Sequence, residues 1–169
     1  MWKTATLRSA MTAAWVCAAW SGLSAQAPKL DACSVLTRDD IKAVSHDPGQ
    51  LDPGGNREPD KVTTCYWLGR PRGSVSLWSK VDPKEPKGLA LKQLLNAGRK
   101  ARAVSGLGDD AVFMENPDGS PGGTLFVRVG HYRLSIYRGA DQPTSTTESV
   151  LPPLTALAKT AIAKLRKAG

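Results

Sequence analysis

The strongest constraint on this chain is a pair of cysteines, Cys33 and Cys65, bracketing a short helical pattern and a long turn-rich connection. Of the three cysteines in the chain, Cys17 falls in an amino-terminal segment with the marks of an export signal. Lys3 and Arg8 precede an apolar run, Met11 to Leu23, which ends in the small-residue triplet Ala25-Gln26-Ala27. That pattern predicts a secretory signal peptide over residues 1–27, and the run is too short for a membrane-spanning helix. Cleavage falls after Ala25 or after Ala27. Val16 before Cys17 is not the small residue that a lipid-attachment site requires. With the signal removed, two cysteines remain in an oxidising compartment, which predicts a Cys33–Cys65 disulfide and a periplasmic or secreted protein without a transmembrane span.

Residues 28–169 have the length of one domain with a modest core. Without Lys3 and Arg8 this part carries 21 Lys and Arg against 15 Asp and Glu, a formal charge of +6. An excess of that sign favours anionic surfaces, and it is equally common on solvated helix faces.

Along the chain, Thr37-Arg38-Asp39-Asp40 starts a short helix, with Thr37 as cap and Asp40 positioned to reach back. Residues 46–61, with Pro48, Pro53 and Pro59, read as a mobile surface loop. Val62 to Leu68 and Ser74 to Val81 form a hairpin. Gly88 to Arg102 switches to helical spacing, with Leu91, Leu94 and Leu95 on one face and Lys92, Arg99 and Lys100 elsewhere on the wheel. Ala111 to Met114, Thr124 to Val129 and Tyr132 to Arg138 read as strands, the last two paired. Leu154, Leu157, Ala158, Ala161, Ile162 and Leu165 draw an apolar stripe on a closing helix, with Pro152 and Pro153 in its first turn. The expected architecture is α+β: a largely antiparallel sheet of about five strands, order α-β-β-α-β-β-β-α, with the helices packed on one face. Strands followed by a helix occur twice, as in a pseudo-repeat.

Asp31-Ala32-Cys33-Ser34-Val35-Leu36-Thr37, Cys65-Tyr66-Trp67 and Gly106-Leu107-Gly108-Asp109-Asp110-Ala111 together resemble an exported bacterial domain family of unknown function, many of whose members are lipoproteins. The resemblance spans most of residues 28–169. It implies a disulfide between the two cysteines and an α+β sandwich, and it carries no established active site.

Catalytic material is sparse. Ser45-His46-Asp47 has the residue types of a triad, but consecutive side chains do not converge as nucleophile, base and orienter must. Asp109, Asp110, Glu115 and Asp118 lack the ligand spacing of a calcium loop and read as turn chemistry. No metal site and no cofactor is predicted. The candidate binding surface is the sheet face that two-residue alternation assigns to Trp78, Lys80, Phe126, Arg128, Arg133 and Tyr137. Aromatics interleaved with cations suit a sugar, an aromatic ligand or an anionic polymer; the competing arrangement packs the aromatics under a helix while the arginines reach its rim. Two functions follow. One is a non-catalytic binding module recognising an envelope protein or an anionic envelope component. The other is a hydrolase or other enzyme with an unfamiliar site, built from the 46–61 loop and the acids after Gly108. Export argues against nucleic acid as partner.

Overall fold

The computed structural model describes residues 30–57, 62–79, 82, 84–140 and 146–168. The signal segment and Lys80 lie outside the described residues. The chain enters through two short helices, α1 (Ala32–Val35) and α2 (Arg38–Lys42), each opened by a capping box, Asp31 with Ser34 and Thr37 with Asp40. Three strands follow, β1 (Leu51–Arg57), β2 (Val62–Trp67) and β3 (Gly73–Trp78), then helix α3 (Leu89–Asn96). Four more strands, β4 (Ala101–Ala103), β5 (Asp110–Glu115), β6 (Gly122–Val129) and β7 (Tyr132–Gly139), lead to the long helix α4 (Thr147–Ala168).

All seven strands join one antiparallel sheet in the order β1-β2-β3-β7-β6-β5-β4. Each half is a meander, and the halves meet through their last strands, β3 on β7. Alternation sends Cys65, Trp67, Val75, Leu77, Phe113, Leu125, Val127, Leu134 and Ile136 to one face. There α1, α2 and α4 close the core with Val35, Ile41 and the α4 stripe Leu154, Leu157, Ala158, Ala161, Ile162 and Leu165. The Cys33–Cys65 disulfide ties α1 to β2 across a separation of 32 residues. Among the described residues no helix is long and apolar enough to cross a membrane.

The expected order with about five strands and all helices on one face is overturned. The sheet has seven strands, two helices precede it, and α3 lies against the opposite face. There Ala90 lines a notch with Val112 and Phe126, which alternation turns away from the core.

Each departure has a local reason. The segment read as a mobile loop contains β1, which pairs Pro53 with Cys65 and Gly54 with Thr64. An edge strand tolerates proline because its outer row of backbone groups needs no partner in the sheet. The helix expected to run to Arg102 stops at Ala97. Gly98 takes φ +68°, and the Arg99 and Gly98 amides donate to the carbonyls of Leu94 and Leu95 at 2.9 and 3.0 Å. That double bond pattern is a Schellman stop, which frees residues 101–103 to pair as β4. Helix α4 begins at Thr147, so Pro152 and Pro153 lie inside it rather than in its first turn. Their missing amides remove the donors four residues on for the carbonyls of Glu148 and Ser149, and both residues are exposed, so solvent can reach those carbonyls.

Candidate functional site

The second sheet face is organised in rows by register. One row runs Val62, Trp78, Arg133, Arg128, Asp110 across β2, β3, β7, β6 and β5. The next runs Thr64, Ser76, Ser135, Phe126, Val112, Ala103, and the third Tyr66, Ser74, Tyr137, Thr124, Met114, Ala101. Trp78, Phe126, Arg128, Arg133 and Tyr137 therefore share a face, while Lys80 lies outside the described residues.

The first row is covered by the approach to α3. Glu85 forms an ion pair with Arg133, and the Gly88 amide donates to Asp110 Oδ2 at 2.8 Å. Arg128, directly opposite Asp110 in the register, is only 7% exposed. The turn that holds Glu85 is braced by Asp82, whose Oδ1 accepts from the Lys84 amide at 2.8 Å. Between this segment and the sheet remains a notch of about 20 Å³, lined by Glu85, Asp110, Phe126, Arg128 and Arg133 among others. That is room for roughly one water molecule, far below the volume of an ordinary ligand pocket. Of the expected cations, Arg133 is thus paired with Glu85 and Arg128 is buried in register with Asp110.

The second and third rows differ. Thr64, Ser76, Ser135, Ser74, Tyr137 and Thr124 are all half-buried, and Tyr66 is 43% exposed. Helix α3 packs chiefly on β4 and β5, so among the described residues no helix packs closely over the β2, β3 and β7 part of these rows. Thr64 and Ser76 hydroxyls hydrogen-bond across the strands at 3.1 Å. Tyr66 is the residue that sequence reasoning misses on this face. Its signal is present, since a core Cys65 sends the next side chain outward.

The other sequence candidates are occupied locally. Ser45 Oγ donates to the Ile41 carbonyl at 2.8 Å, Asp47 Oδ1 accepts from the Gly49 amide at 2.9 Å, and His46 is exposed between them. Two of the acids after Gly108 serve turns: Asp109 Oδ2 accepts from the Gly130 amide at 2.6 Å, and Asp118 Oδ1 from the Ser120 amide at 3.0 Å. The Ser120 hydroxyl and amide hold the exposed Asp118 carboxyl below its ordinary pKa. Among the described residues no group of three or more His, Cys, Asp and Glu is gathered for a metal ion.

One ionic contact joins helices instead. Lys164 Nζ of α4 reaches Asp40 Oδ2 at 2.6 Å, the same oxygen that accepts from the Thr37 amide and hydroxyl at the start of α2. Partial burial pushes the Asp40 carboxyl up, but the hydrogen bonds from Lys164 and Thr37 outweigh it and hold the pKa below the usual value.

Comparison with known proteins shows no relative: no family model, no curated protein and no solved structure matches this chain.

Proposed function

We propose that the protein is an exported, non-catalytic binding module that engages an envelope protein through the sheet face of Tyr66, Thr64, Ser74, Ser76, Ser135 and Tyr137. The observation that carries this reading is the contrast between the two faces. Cys65, Trp67, Val75, Leu77, Leu134 and Ile136, which point to α1 and α4, are buried, whereas Thr64, Tyr66, Ser74, Ser76, Ser135 and Tyr137, pointing the other way, stay partly wet. Tyrosines supply large, rigid contact area with a polar tip and are enriched at protein interfaces. An anionic polymer is a weaker fit for this face, because Glu85 and Asp110 already meet its arginine row. The disulfide supports an oxidising compartment and hence export. The enzyme alternative draws no support from a notch the size of one water.

The test is photo-crosslinking in intact cells with a benzophenone amino acid at position 66. A specific protein adduct is expected there and not at Lys159, an exposed position on α4. No adduct at 66, or the same adducts at both positions, refutes the reading.

A further inference from the structure

Helix α3 is out of keeping with the other helices. It is amphipathic, with Ala90, Leu91, Leu94 and Leu95 on one arc and Lys92, Gln93 and Asn96 on the other. Yet it buries no residue, whereas α1, α2 and α4 all do. None of Leu89, Leu91, Leu94 and Leu95 belongs to the core cluster or packs against it, and Leu95 is 52% exposed. Leu89, Leu91 and Leu94 are half-buried beside it, so the part of the apolar arc around Leu95 stays on the surface of a helix too short to be stable in water by itself.

Its charge is equally one-sided. From Pro86 to Gly108 the chain contains no Asp or Glu, but it carries Lys87, Lys92, Arg99, Lys100 and Arg102. Arg102 is bound to Glu148, and among the described residues Lys87, Lys92, Arg99 and Lys100 enter no ion pair. All four are exposed. A partly uncovered leucine arc flanked by exposed cations, on a stretch of chain without Asp or Glu whose neighbouring acids Glu85 and Glu148 are already held by Arg133 and Arg102, is the chemistry of a helix that lies in a lipid–water interface and draws anionic headgroups to its sides.

We propose that α3 and its flanks form a peripheral membrane-binding element that seats the protein on a bilayer of anionic phospholipid. Charge complementarity selects the occupant. A soluble anionic polymer would satisfy the lysines and leave Leu95 and its neighbours in water, whereas a bilayer takes both. The element lies over the β4–β5 end of the second sheet face, whereas Tyr66 lies on β2 toward the other end of that face, so the two surfaces are separable.

The test is vesicle flotation of the protein purified after export. It is expected to float with vesicles of phosphatidylcholine mixed with phosphatidylglycerol, not with phosphatidylcholine alone, and to be released by high salt; a retained apolar leader would resist salt. The triple variant Lys87→Glu, Lys92→Glu, Arg99→Glu is expected to lose roughly a hundredfold or more in binding, since each cation near such a surface contributes about fivefold. Leu95→Trp is expected to shift its added emission to the blue on the anionic vesicles, and Tyr66→Ala to float like the wild type. Four results overturn the proposal: no flotation with the anionic vesicles, equal flotation with neutral ones, undiminished binding by the triple variant, or an added emission from the Leu95→Trp variant that stays unchanged while the protein floats. Should the triple variant prove misfolded by circular dichroism, the Leu95→Trp emission decides.

Discussion

The indole of Trp67 occupies the space that a side chain on Gly73 would need. The two residues are directly paired between β2 and β3, and a Cβ on Gly73 would lie 1.9 Å from Cζ2 of the Trp67 ring. Trp67 is fully buried, and its Nε1–H donates to the Pro71 carbonyl at 2.9 Å, so the ring is held by a hydrogen bond as well as by packing. Phe113 and Gly123 repeat the device in the other half of the sheet, with the ring 2.6 Å from a Cβ built on the glycine.

Gly73→Ala should therefore destabilise by about 1–3 kcal/mol or more, because neither the ring nor the strand can give way cheaply. Gly98→Ala serves as the contrast. Its Cβ would meet nothing within 4 Å, and only the positive φ of +68° opposes it, so a loss of about 1 kcal/mol is expected. Urea midpoints of the two variants should differ in that order; equal losses would show that ring packing over Gly73 does not matter.

Removing the disulfide should cost about 3–4 kcal/mol in the chain-entropy account, given the 32-residue separation. The double variant Cys33→Ala, Cys65→Ala tests this without leaving a reactive thiol. A urea midpoint indistinguishable from wild type would mean that α1 is held on β2 by packing alone.

Acid should weaken the joint between α2 and α4. The Asp40 carboxyl is held below the ordinary 3.8, so its contribution is present above that value and is lost as pH falls through the depressed folded-state pKa. Asp40→Asn should narrow the stability gap to wild type as pH drops below about 4, with a small amplitude because the pair is partly solvated. Thermal midpoints taken across that range check it, and a gap that widens in acid contradicts the sign.

Hydrogen exchange should single out α3. Because it buries no residue, its amides should open locally and exchange orders of magnitude faster than those of α4, which buries Leu154, Leu157, Ala158, Ala161 and Leu165. Comparable protection in both helices would show that α3 is bound to the sheet more firmly than its exposure implies.

The residues that a period of two or of 3.6 governs are readable from the sequence alone. The α4 stripe, the inward rows Leu125–Val127 and Leu134–Ile136, the Thr37–Asp40 cap and the Cys33–Cys65 bridge all follow from spacing, residue type or count. Alternation likewise puts Trp78, Phe126, Arg128, Arg133 and Tyr137 on one face. What alternation cannot report is cover. That Glu85 and Gly88 fold back onto the arginine row, while the β2, β3 and β7 part of the row holding Tyr66 and Tyr137 lies clear of any described helix, depends on contacts between segments tens of residues apart. Strand count escapes for the same reason: Pro53 in β1 and the brief β4 have little strand propensity of their own, and each is a strand only because a neighbouring strand offers it hydrogen bonds.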